Sequence, residues 1–308
     1  ADTWVDSSTF APGADAPARW WQPLCQADQV RAEAWIRDQF GAATLASLAP
    51  IAKDYALRAR RYQIERLRLS IPDAGYVVSV ARDFPKARMG LLDDQGNPKW
   101  QAADWAWHGD SMLCLDTERD ARSFVVGSQG QPIHARLARG GLPPSPPHLL
   151  ETLQPVAAPT PVTVRGAVDG VRGSWDVWAL PSFRDERPAE VVVAEQLDED
   201  TLTRLEQGGR VYLHVHGQKL APTSASKWYL TGAPFAPSHP VHRDLPLRML
   251  LELQPFDLDG GRMMPWGPWR DQVDPILAFW ETHDLPEVKL HLFAFDCRSE
   301  EHTSELQS

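Results

Sequence analysis

Cysteine is scarce. Cys25, Cys114 and Cys297 stand far apart, and three thiols make neither a disulfide framework nor a zinc-ligand pattern. Buried free thiols are the expected reading. No run of about 18 apolar residues occurs, so no helical membrane span is expected. The net charge of −10 lacks the clustered basic patch that a nucleic-acid surface needs. The opening ADTWVDSSTF has neither a basic nor an apolar segment of the secretory kind, which leaves the compartment open.

What the chain does have is apolar residues, 43%, enough to build cores over 308 residues and more than one domain. Tryptophan is abundant, at 13. Its flat faces suit sugar C–H surfaces and serve equally in ordinary cores.

The texture changes twice. In the first hundred residues, Val30, Ala34, Trp35 and Ile36, then Leu45, Leu48, Ile51, Tyr55, Ala59, Tyr62 and Leu67, recur at helical spacing with arginines opposite. Pro50 is expected at a kink or in a first turn. Pro72-Asp73 ends the helical region, and Gly75 to Val80 reads as a short buried strand. After Trp100 come short β-rich runs at Ser123–Val126, Pro132–Leu137, Pro161–Val164 and Ser174–Leu180. Glycine turns and the proline-rich loop Gly141–Pro147 separate them, the pattern of a small β-sandwich. From Glu190 the pattern becomes strand, helix, Gly-Gly, strand: Val191–Val193, a helix capped by Asp198 and stopped at Gly208-Gly209, then Arg210–Val215. That unit implies parallel pairing. Val273–Trp280 reads as helix and Val288–Phe295 as strand.

The segment Tyr62–Lys99 carries the most information. Tyr62, Gln63, Glu65 and Arg68 precede Gly75-Tyr76, then Asp83, then Gly90-Leu91-Leu92-Asp93 and Pro98-Lys99. This resembles the end of the catalytic (β/α)8 barrel of glycoside hydrolase family 2, the β-galactosidase, β-mannosidase and β-glucuronidase group. Gly173–Pro181 looks like the last strand of a following immunoglobulin-like β-sandwich. Residues 187–297 look like the flavodoxin-like, glutamine-amidotransferase-like module further downstream in that group. The expected fold is therefore multidomain, α/β plus all-β. Residues 1–100 would be the C-terminal remnant of a TIM barrel, 101–184 the sandwich, and 185–297 a truncated α/β module. Arg298–Ser308 resembles a translated sequencing adapter and is expected to be a foreign tail.

The resemblance implies a C-terminal fragment of a retaining β-glycosidase of oligosaccharides. Such an enzyme uses two glutamates with carboxyls roughly 5 Å apart. No Asn-Glu or Ser-Glu-Phe/Tyr-Gly pattern occurs in 1–75, so neither catalytic residue is expected in this chain. Glu33 and Glu65 are expected to be solvated helix charges. Barrel chemistry sits at the C-terminal strand ends. Arg82, Asp83, Phe84 and Arg88 would therefore lie on the rim, Asp83 bonding a sugar hydroxyl or forming a loop salt bridge. Lys86-Ala87-Arg88 departs from the family, which usually has an aromatic or acidic residue there. The alternative is a non-catalytic, carbohydrate-binding or structural accessory portion of a family-2-like protein. A carbohydrate is the implied partner in both cases.

No cofactor and no metal is expected. His214 and His216 share a strand face without a third ligand, and His239 and His242 add none in pattern. Cys297 has no nucleophile elbow around it. Gly208-Gly209 lacks a nucleotide-loop frame. Trp266, Trp269 and Trp280 with Met263 and Met264 read as core before sugar platform.

Overall fold

A computed structural model describes residues 22–73, 75–78, 80–83, 89–93, 96–117, 122–182, 190–213, 224–225, 231–243, 245–251, 262–267, 273–281 and 287–294. The fold mixes helix and sheet and is mostly strand. No closed barrel is present among the described residues.

Helix α1 (Gln22–Ser70) breaks its helical geometry at Gly41, with φ 84° and ψ 162°. The break comes at this glycine and not at Pro50, which lies within the helix at an exposed position. No helix among the described residues is long and apolar enough to cross a membrane.

The run after α1 departs from expectation. Residues 75–78 form neither helix nor strand and pair with no strand among those described, and Val77 is 92% exposed. A β-branched apolar run suits a strand but does not make one by itself. It becomes a buried strand only when neighbours supply hydrogen bonds and a covering layer.

Six strands follow: β1 (Ser111–Asp116), β2 (Ser123–Val126), β3 (Gln131–Arg139), β4 (His148–Leu153), β5 (Thr160–Val168) and β6 (Val171–Pro181). They form two three-stranded sheets, β1-β3-β4 and β2-β6-β5. Alternate residues Ile133, Ala135 and Leu137 of β3 face Trp175, Val177 and Ala179 of β6 across one core, joined by Leu113, Leu115, Val126, Leu153 and Val164. All four anticipated runs are strands. β1 and β4 are additional, one buried along four successive residues and one a half-exposed edge. The β5–β6 hairpin pairs Val168 with Val171, leaving Asp169-Gly170 as a two-residue turn. Both have positive φ, 50° and 80°, the geometry that matches strand twist and favours Asp-Gly. Ser145, in the proline-rich loop, folds that loop onto β3: its hydroxyl and backbone N–H bond Leu137 N and O at 2.9 and 3.0 Å.

The third region is β7 (Val191–Ala194), α2 (Glu199–Glu206) and β8 (Arg210–Leu213), with β7 and β8 parallel. Asp198 caps α2, its side chain accepting the Thr201 N–H at 2.9 Å, and Gly208 follows the helix in the left-handed region.

Beyond this unit the expected parallel module gives way to an antiparallel sheet. Its strands are β9 (Ser224–Ala225), β10 (Thr231–Phe235), β11 (Arg262–Pro265), β12 (Asp274–Glu281) and β13 (Glu287–Ala294), with a short helix α3 (Leu247–Leu250) between β10 and β11. The order is β10-β12-β13-β11-β9. The helix expected over Val273–Trp280 is therefore strand β12. Ile276 to Phe279 are all buried because β12 is covered on both faces. Ala278 joins Ile36, Leu48, Ala52, Phe235, Met264 and Trp266 in a core against α1, while Leu277 and Phe279 pack with Leu250 and Met263. Continuous apolar runs of this length do not distinguish strand from helix.

Candidate functional site

The loop after residues 75–78 closes on itself. Ala81 O accepts the N–H groups of Leu91 and Leu92 at 3.0 Å, Asp83 N donates to Leu92 O at 3.0 Å, and Lys99 N donates to Leu91 O at 3.0 Å. Asp93 Oδ1 accepts the Asn97 N–H at 2.7 Å, forming the outer turn. At the centre is Asp83, 7% exposed. Its carboxylate meets Lys99 Nζ at 2.6 and 2.7 Å and accepts the Gly90 N–H at 2.8 Å. A Cβ on Gly90 would lie 2.6 Å from Asp83 N, so this close approach requires glycine.

Asp83 thus works inside the loop as a buried ion pair, while the Arg82 side chain is exposed. Phe84 and Arg88 lie outside the described residues. Trp100 follows directly and fastens the loop to α1, its Nε1 donating to Lys53 O at 3.2 Å.

Glu65 corrects an expectation. It is not a solvated helix charge: it is 2% exposed, and Glu33 is 7% exposed. The Glu65 carboxylate receives Arg61 Nε at 2.7 Å, Arg122 Nη2 at 2.7 Å, Trp175 Nε1 at 2.9 Å and the Leu115 N–H at 3.4 Å. Burial alone would raise its pKa. The Arg122 and Arg61 charges, with hydrogen bonds from Arg122 and Trp175, outweigh this and hold it below its ordinary value. The arginines opposite the apolar stripe are not a free face either. Arg61, Arg66 and Arg68 donate to the carbonyls of Ser174, Thr117 and Gly109 at 2.7, 2.8 and 3.2 Å. The available signal was the spacing of Arg61 and Glu65 at i, i+4 on a helix ahead of a Trp-rich strand. It did not reveal Arg122 and Trp175, which are distant in sequence.

Between loop and sandwich runs a chain of rings. Trp100–Trp105, Trp105–Trp107, Trp107–His108 and His108–Tyr76 have centroids 6.0, 5.6, 5.6 and 5.9 Å apart. The Tyr76 hydroxyl contacts His108 Nε2. Burial and the Arg68 charge lower the His108 pKa. Arg60 lies 4.9 Å above Trp100, and Arg61 lies 5.5 and 5.2 Å from the Trp107 and Trp175 rings. These guanidinium groups lie over the Trp100, Trp107 and Trp175 rings as cation–π partners.

Trp266, Met263 and Met264 are buried core residues; the side chains of Trp269 and Trp280 lie outside the description. His239 Nδ1 accepts the Val241 N–H at 3.1 Å and His242 Nε2 lies 3.0 Å from Ile276 O, so both rings are held locally. His214, His216 and Cys297 are outside the described residues. Among those described, no three His, Cys, Asp or Glu side chains converge as metal ligands. Cys114 is buried, and burial pushes its thiol pKa up. An open cleft of about 470 Å³ lies at the C-terminal end of β7, lined by Glu195, Asp198 and Asp200. Asp198 is already committed there as the α2 cap.

No protein-family model matches the chain, and no curated protein is significantly similar to it.

Proposed function

We propose that this chain is the C-terminal portion of a retaining β-glycosidase that hydrolyses glycosidic bonds in oligosaccharides, with both catalytic glutamates outside these 308 residues. One observation carries the reading: residues on which the family resemblance rests form one connected physical unit. Asp83, Gly90 and Lys99 meet at a single buried carboxylate, Leu91, Leu92 and Pro98 supply the loop's backbone pairing, and Asp93 makes its turn.

Two further points support it. Glu65 and Asp83 are held by cations and hydrogen bonds, which suits scaffolding and not acid/base work. Val77 and Val78 are exposed apolar residues with no covering layer among the described residues, as expected of a segment separated from a larger parallel sheet. In this reading Arg82 faces the substrate rim and Asp83 holds the loop.

The test is direct. The expressed chain is assayed against aryl β-glycosides, and the contiguous DNA is sequenced. No hydrolysis by the chain, with an upstream frame encoding two glutamates at barrel strand ends, is the expected result. Hydrolysis by the chain alone, or an upstream frame without the pair, overturns the reading. Sugar binding with no upstream pair favours the non-catalytic accessory role.

A further inference from the structure

The C-terminal half of α1 meets the sandwich through three kinds of contact. The first is apolar: Ile64, with Leu69 and Tyr76, packs on Met112, Cys114 and Ala138. The second is directional: Arg61, Arg66 and Arg68 donate to carbonyls on separate stretches of chain. The third is the Glu65 carboxylate, which gathers donors from α1, from β1, from β6 and from Arg122 just before β2. Apolar packing alone tolerates small rotations and slides. Charge-assisted bonds between planar guanidinium groups and a carboxylate fix both distance and direction. The same helix carries the Asp83–Lys99 loop through Trp100 and Lys53.

We infer that Glu65 is a positioning residue: its carboxylate sets the rotation of α1 on the sandwich, and through α1 the placement of loop 80–100. The sandwich is then a rigid mount for that loop and not a tethered accessory module. Units within a chain move relative to one another by default unless their interface prevents it; here the interface is a shared core with a buried ion cluster at its centre. Naming the loop a substrate rim rests on the function proposed above, whereas the mount itself does not.

The test uses the full chain with its tryptophan side chains labelled for NMR. Glu65→Gln keeps volume and an acceptor for Trp175 but removes the charge; Arg122→Lys keeps the charge but loses the planar guanidinium whose Nη2 donates to Glu65. The indole N–H signals of Trp175 and Trp100 are followed together with protease cleavage within residues 71–110. Both variants are expected to shift both signals and to raise cleavage about tenfold, while the sandwich amides keep their native dispersion. A shift at Trp175 alone, with Trp100 and cleavage unchanged, overturns the inference and leaves Glu65 a local hydrogen-bond partner. Loss of the sandwich signals in both variants overturns it too, since Glu65 would then be an ordinary core residue. Failure of the glycosidase assays leaves these readouts untouched, so the two proposals fail separately.

Discussion

Glu65 and Trp175 are 110 residues apart in sequence and 2.9 Å apart in space, indole N–H to carboxylate. One residue belongs to the amphipathic helix and the other to the core of the sandwich, so this bond crosses between units that differ in sequence texture.

Removing the carboxylate leaves Arg61 and Arg122 facing each other without their anion. Glu65→Ala is expected to cost about 3–5 kcal/mol, the range for breaking a buried pair by deleting one partner. Glu65→Met combined with Arg61→Met and Arg122→Met is expected to recover much of that loss. Urea unfolding of the three proteins measures it.

The depressed pKa of Glu65 gives stability a pH dependence. A carboxyl whose folded pKa lies below its unfolded value contributes fully above the unfolded value, about 4.3. That contribution is lost as pH falls through the folded value. The urea midpoint should therefore drop between pH 6 and pH 3, and Glu65→Gln should flatten that slope. An equal slope in both proteins would assign the acid sensitivity to other carboxylates.

Gly90→Ala is expected to open the loop. The new Cβ would meet the backbone of Arg82 and Asp83 as well as the Asp83 carboxylate, and relief requires separating Asp83 from Gly90. A loss of about 1–3 kcal/mol, with faster cleavage at 81–99, is the expected outcome. Lys99→Met is expected to give the same cleavage pattern by leaving Asp83 buried without its cation.

Gly170→Ala places a side chain at φ 80° in the β5–β6 turn. A loss of about 1 kcal/mol is expected, seen as a lower thermal midpoint with unchanged circular dichroism. Cys114 should be unreactive in the native chain, since its thiol is buried with a raised pKa. Its labelling by a thiol reagent should follow global unfolding, measured against denaturant concentration.

Local chemistry was the most legible part of the sequence. Asp198 as a cap and Gly208 as a stop each act within a few residues, and each lies where the sequence indicated. Val273–Trp280 misled because its covering layers, α1 on one side and Leu250 with Met263 on the other, come from distant segments. Gly75–Val80 misled in the opposite sense: an apolar run signals burial, yet Val77 has no layer above it among the described residues. Of the site, the loop's motif residues were readable but the job of Asp83 was not settled, since both a rim contact and a loop ion pair suit a carboxylate there. Glu65 read as solvated because its partners Arg122 and Trp175 lie 57 and 110 residues away.

The break at Gly41 has a mechanical consequence. Ile36 on one side of it and Leu48 and Ala52 on the other enter the same core, while Ile64 further along enters another. Each residue inserted into a continuous helix turns everything beyond it by about 100°. A residue added between Gly41 and Leu48 can be absorbed at the non-helical joint, as slack in a coupling. The same addition between Ala52 and Ile64 has no such joint. It would twist the helix like an overwound shaft, with one end gripped by the antiparallel sheet and the other by the sandwich.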